Sequence, residues 1–317
     1  MAHNINSMMY TGEKPWHGLG TKLENVATAA EAIAAAGLNW TVTKEPVFLK
    51  DGREVADTFA TMRSDNKDVL GTVGAVYRPL QNKEAFSFFD AIVGEKLAMY
   101  HTAGALGVGE RVWILAKLPG TVRVIGDDIT EKFLLLTNTH DGSSSVQMMF
   151  SPIRVVCQNT LNIALGSGIR NQKMRHTNTL GLRVSEIRAG LGIVHERFQL
   201  FEEMAQALTR VNLKSDDWRT YCRNIGIIPA DEFDKMSTRA KNILEEVTSL
   251  FEYGKGNNAP GVKGTAWAAF NAITEWTDHA RATKGENKEQ ARASSLLFGS
   301  GAAIKQKAWD AATALIA

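Results

Sequence analysis

Cysteine is nearly absent: the 317 residues hold only Cys157 and Cys222, with no Cys-x-x-Cys pair. That excludes a disulfide framework and a thiolate zinc site, and it fits a reducing compartment, so the cytoplasm is the expected location. No apolar run approaches the ~18 to 20 residues of a membrane span, and the first residues lack the basic head and apolar core of a signal peptide. No membrane contact is expected. A dominant charge sign is missing too. Lys and Arg number 36 against 34 Asp and Glu, a net charge of +2, so any surface for a polyanion has to be local. Internal repeats and low-complexity tails are likewise absent. What is present is 44% hydrophobic residues, enough for one large domain or two ordinary ones, each with its own core.

The pattern along the chain predicts α+β architecture. Thr28 can cap a short helix, Glu31 completes a capping box and Gly37 stops it. Residues 40–49, 58–63 and 69–77 are β-branched and aromatic runs divided by turn residues, and read as antiparallel strands. Residues 83–93 put Ala85, Phe88, Phe89 and Ile92 on one helical face; 111–118, 121–125, 132–139 and 146–150 return to strand character. Pro152 is expected to end the last strand, and 154–165 to begin a helix. From Val184 onward, apolar residues recur at three- and four-residue steps. Helices are predicted over 216–224, 231–251, 266–282 and 288–315, broken by a Gly-rich segment at 254–264. An N-terminal antiparallel sheet packed with helices, 1–180, is therefore expected before a mainly helical domain, 181–317.

Sites for chemistry are scarce. The seven histidines never fall at the i, i+3 or i, i+4 spacing of a helical metal site, so no metal is expected. His140-Asp141 reads as turn chemistry, Asp231, Asp234 and Lys235 as a helix start, and Cys157 as a core thiol beside Val155 and Val156. Gly104, Gly107 and Gly109 precede a strand instead of following one, which removes a dinucleotide fingerprint and leaves a loop. In the segment 256–265, Val262 separates Gly261 from Lys263 and a helix precedes the glycines, so a Walker-type loop is rejected and no cofactor is expected. A milder reading makes Lys255, Lys263 and the amides at the start of the 266 helix a site for one backbone phosphate; the alternative is a flexible helix connection.

Charge is distributed unevenly. Between 151 and 188 stand six basic residues, Arg154, Arg170, Lys173, Arg175, Arg183 and Arg188, against the single acid Glu186. Arginines with Asn159, Asn162, Asn171, Gln172 and Asn178 interleaved suit phosphate and base-edge contacts. The competing reading is a solvated connector paired with Glu202-Glu203 and Glu245-Glu246. A second series, Arg281, Lys284, Lys288, Arg292, Lys305 and Lys307, is diluted by Glu286 and Glu289 and reads as a solvated helix face. Trp16-His17 sits among glycines, where it can stack on a base or pack on its own domain.

Three motifs carry a resemblance: Lys14-Pro15-Trp16-His17-Gly18-Leu19-Gly20, then Ser151-Pro152-Ile153-Arg154 through Leu161, then Gly264-Thr265-Ala266-Trp267 through Glu275 followed by Phe298-Gly299 and Lys305. In this order they resemble the phage/plasmid-like protein family, a domain of unknown function carried by phages, prophages and plasmids. The resemblance implies a mobile-element context and no particular chemistry. The order of strands and helices is also similar, at the level of fold, to phage single-strand annealing proteins, which assemble as rings; fold alone does not fix function. The expectation is non-catalytic binding, with annealing as one form of it, of single-stranded DNA in replication or recombination. Arg154, Arg170, Lys173, Arg175, Lys255 and Lys263 would be the contacts, and a homo-oligomer is compatible. The rivals are a protein that binds a host protein and an enzyme in which His140, Asp141 and Cys157 converge.

Overall fold

The computed structural model describes residues 5–11, 20–24, 28–93, 99–154, 159–160, 172–174, 191–229, 233–282, 292, 295–296 and 299–316. Sheets occupy the first half of the chain and helices the second, an α+β arrangement as expected.

The strands are β1 Ile5–Thr11, β2 Thr21–Leu23, β3 Val42–Phe48, β4 Glu54–Arg63, β5 Val69–Gly74, β6 Met99–Leu106, β7 Arg111–Ile125, β8 Asp128–Thr139, β9 Val146–Arg154, β10 Asn159–Thr160 and β11 Gln172–Met174. One sheet has the order β10-β9-β8-β7-β6-β1-β2, with β11 also on β9; the other is β3-β4-β5. The helices are α1 Ala29–Ala35, α2 Asn82–Val93, α3 Leu191–Leu208, α4 Ser215–Asn224, α5 Thr238–Tyr253, α6 Ala266–Glu275 and α7 Ser300–Thr313. By compactness the chain divides into two units, 1–119 with 133–149 and 168–193, and 120–132 with 150–167 and 194–317.

In the first unit, α1 starts as its residues dictate: the Thr28 side chain accepts from the Glu31 amide, and Glu31 accepts from the Thr28 amide at 2.8 Å. The Thr28 amide and hydroxyl, both donating to it, hold the exposed Glu31 carboxyl below its ordinary pKa. The β3-β4-β5 sheet shows the two-residue period of a half-buried surface. Val42, Thr61, Arg63 and Val73 are buried on one face, while Thr43, Glu45 and Thr72 are exposed on the other. Arg63 is tolerated inside because its donors are used. It lies 4.4 Å over the Trp40 ring, donates to Asn6 Oδ1 at 2.9 Å and the Val108 carbonyl at 2.7 Å, and forks onto Asp65.

Five expectations about elements need correction. Residues 104–106 are not loop but the end of β6, whose Gly104 faces Trp113 of β7; the turn follows, at Gly107 and Gly109. The expected pair of strands at 111–118 and 121–125 is the single strand β7, which runs through Pro119 and Gly120, the glycine taking φ +76°. β9 continues past Pro152 to Arg154, and where a helix was expected Asn159–Thr160 pairs antiparallel with Arg154 and Ile153. The predicted 288–315 helix is broken before α7 at Gly299, which has a non-helical backbone.

Gly104 is required by the packing of β6. A Cβ there would lie 2.6 Å from both the Met8 Cβ and the Trp113 ring, and 2.5 Å from the Ser7 carbonyl oxygen. Gly104→Ala is expected to destabilise the protein by about 1–3 kcal/mol, seen as a lower urea midpoint with unchanged slope. An unchanged midpoint would mean that β1 can withdraw without loss.

The second unit is organised on α6, whose ten residues are all buried. Trp267, Phe270, Phe201, Trp309, Phe150 and Phe198 form its aromatic core, with Phe201 stacked on Trp309 at 5.4 Å. The chain leaves α6 through a π-helical turn, Trp276–Ala280. Tyr221 of α4 ties in α7 by donating to the Ala308 carbonyl at 2.8 Å.

Candidate nucleic-acid interface

The Gly-rich segment that follows α5 is an ordered loop. Asn257, fully buried, donates through Nδ2 to the carbonyls of Leu250 at 2.9 Å and Ala268 at 3.1 Å, so one side chain fastens the loop to both flanking helices. Glu275 accepts from the Lys255 amide at 3.1 Å. A Cβ on Gly254 would collide with the Leu250 carbonyl and the Glu275 carboxylate, which accounts for the glycine. Val262 is buried, its amide and that of Lys263 both donate to the Ala259 carbonyl, and Gly256, Gly261 and Gly264 take positive φ. With the backbone turned inward, Tyr253, Lys255, Asn258 and Lys263 are left exposed. Tyr253, at 70%, is the most exposed aromatic residue among those described.

This corrects one reading of the segment: the amides at the start of α6 are not open to a phosphate. Ala266 N donates to the Val211 carbonyl at 2.8 Å and Ala268 N to Thr265 Oγ1 at 3.2 Å, in a buried helix start. Lys255 and Lys263 are thus presented as side chains only.

The other expected contacts are placed less fully. Arg154 ends β9 opposite Asn159, and Lys173 lies in β11 opposite Gln147, their side chains being outside the described residues. Arg170, Arg175, Arg183 and Arg188 fall outside them too, as do Trp16-His17.

His140 and Asp141 each have structural partners. His140 is buried, edge-on to Trp40 at 5.4 Å, with Nε2 3.3 Å from Asn82 Oδ1, and its carbonyl accepts from Thr61 Oγ1 at 2.7 Å. Asp141 Oδ1 accepts from the amide and hydroxyl of Ser143, which is the turn role its sequence suggested. Cys157 lies outside the described residues, and burial pushes the Cys222 thiol up to about 12. Asp234 and Lys235 are exposed on a short 3-10 turn, with Asp231 again outside. Among the described residues no three His, Cys, Asp or Glu side chains form a group that could hold a metal ion, and no helix is long and apolar enough to cross a membrane.

The second basic series is not uniformly a solvated face. Lys305 is fully buried and pairs with Asp278 of the π turn at 2.9 Å; Arg292 donates to the Asp278 carbonyl at 3.0 Å, and Arg281 lies partly buried over Trp276.

Sequence reasoning passed over Tyr253, although an aromatic two residues before Lys255 was a legible signal. It also missed a groove of about 650 Å³ between α4 and α5, whose lining includes Tyr253, because no local pattern encodes it.

These features define a mixed α+β protein whose second unit carries an exposed tyrosine at the end of α5 and a hydrogen-bonded loop with exposed lysines after it. Residues 69–297 match the family described as a domain of unknown function (DUF932), and the chain belongs to that family. No curated protein and no solved structure matches it.

Proposed function

We propose that the protein binds single-stranded nucleic acid without transforming it, DNA in the first instance, in the replication or recombination of a mobile element. The observation that carries this reading is the end of α5 and the loop after it, which present an exposed ring at Tyr253 and exposed side chains at Lys255 and Lys263. Every base has a π face, and a lysine needs no sequence to bind a phosphate, so such a surface takes a strand of any sequence. The loop is fastened by Asn257 and Glu275 before any strand arrives, which spares the complex part of its ordering cost. Arg154, Arg170, Lys173 and Arg175 supply further phosphate contacts in this reading. Its phage/plasmid-like character, cytoplasmic location, homo-oligomeric assembly and annealing are parts of the same proposal.

The rival is capture of a host protein. It is favoured by Phe48 and Leu49, 57% and 49% exposed at the end of β3 and the turn after it.

Fluorescence anisotropy with labelled single- and double-stranded oligonucleotides across a salt series separates the two. Single-strand binding that weakens steeply with salt is expected. Tyr253→Ala should weaken it by about 1–3 kcal/mol, the scale of one base stacked on an aromatic ring. Lys255→Ala with Lys263→Ala should lower the salt slope by roughly 0.7 per lysine, as should each Ala substitution at Arg170, Lys173 and Arg175. No binding to either strand form at low salt would refute the reading and leave the host-protein rival.

A further inference from the structure

The groove between α4 and α5 has a floor and two rims of different chemistry. Leu213, Trp218, Leu244 and Phe251 make the floor, with the Trp218 and Phe251 rings stacked at 4.5 Å and 8° from parallel. The indole N–H is already donated to Thr248 Oγ1 at 2.9 Å, so the floor offers a ligand apolar surface. On the α4 side stand the exposed cations Lys214 and Arg219; on the α5 side stand the exposed carboxylates Glu245 and Glu252. Tyr253, the last residue of α5, also lines the groove, and the loop that carries Lys255 and Lys263 follows it.

A ligand that satisfies all three surfaces is planar and apolar in the middle, anionic at one end and an N–H donor at the other. A nucleotide has that form. Its phosphate suits Lys214 and Arg219, its ring suits the floor, and an exocyclic amino group donates to a carboxylate as cytosine N4 does to Glu or Asp. A groove of about 650 Å³ lies within the ordinary range for small-ligand sites, about 300–1,000 Å³.

We infer that this groove receives one unstacked nucleotide of a bound single strand and prefers a base carrying an amino group, with Glu245 or Glu252 as the acceptor. The inference rests on the single-strand reading above and adds a base preference to it. Thymine sets a carbonyl oxygen where cytosine carries its amino group, so the carboxylates favour cytosine over thymine among bases of one size.

Calorimetric titration of the full chain with deoxycytidine and deoxythymidine monophosphates tests the groove alone, and anisotropy with oligo-dC and oligo-dT tests it within a strand. The expected result is a cytosine preference of at least about fivefold, the lower end for one good base contact. Glu245→Ala or Glu252→Ala should abolish that preference, and Lys214→Ala should weaken both monophosphates alike. Equal binding of the two bases, or a preference that survives both glutamate substitutions, would overturn the inference while leaving oligonucleotide binding intact. If no oligonucleotide binds, the single-strand reading and this inference fall together.

Discussion

Replacing Lys305 with alanine is expected to destabilise the helical unit by about 3–5 kcal/mol, the cost of breaking a buried ion pair by removing one of its members. Lys305 lies at the centre of the inward stripe of α7, with Gly301, Ala308, Trp309 and Ala312. Its side chain is 0% exposed and that of Asp278 is 4% exposed, so water cannot screen the Asp278 carboxylate when the ammonium is removed. The pair also holds the π turn, where Asp278 accepts from Arg292 through its carbonyl. Truncating either partner should therefore be worse than replacing both. Lys305→Met with Asp278→Leu fills similar volume and carries no charge, and is expected to recover most of the loss. Urea denaturation followed by helical circular dichroism gives the cycle. A loss below about 1 kcal/mol for Lys305→Ala would place the pair with ordinary surface ion pairs.

The same lysine shows why the helical unit was only partly legible. In sequence Lys305 belongs to a run of basic residues on a helix, and nothing local distinguishes it from Lys307, which is exposed. Its partner is 27 residues away, so only the tertiary arrangement could identify it. By contrast, the start of α1 was readable because Thr28 and Glu31 settle the matter within four residues. Strand β6 escaped because Ala103, Gly104 and Ala105 have little strand propensity; β1 and β7 hold it by pairing on both sides. The Gly-rich loop was noticed for its glycines and lysines, but its order depends on Asn257, which reaches out of it to Leu250 and Ala268, and on Glu275, which reaches it from α6, connections that no local pattern shows.

Trp267→Ala is expected to cost the helical unit about 3–5 kcal/mol, and Trp267→Phe should divide that loss into packing and hydrogen bonding. Trp267 is fully buried against Phe201 and Phe270, with ring centroids 6.1 and 5.8 Å away. Its indole N–H donates to Asp128 Oδ2 at 2.8 Å, a bond between the second residue of α6 and the first residue of β8. Phenylalanine keeps much of the ring but returns nothing to the carboxylate. Hydrogen bonds to charged groups contribute about 1.5–3 kcal/mol, so Trp267→Phe should show a loss of that order. Asp128→Asn retains an acceptor oxygen and should cost less, and the double variant should cost less than the sum of the two. Strict additivity in urea denaturation would show that Asp128 and Trp267 contribute separately, and that the bond between them does not help to hold α6.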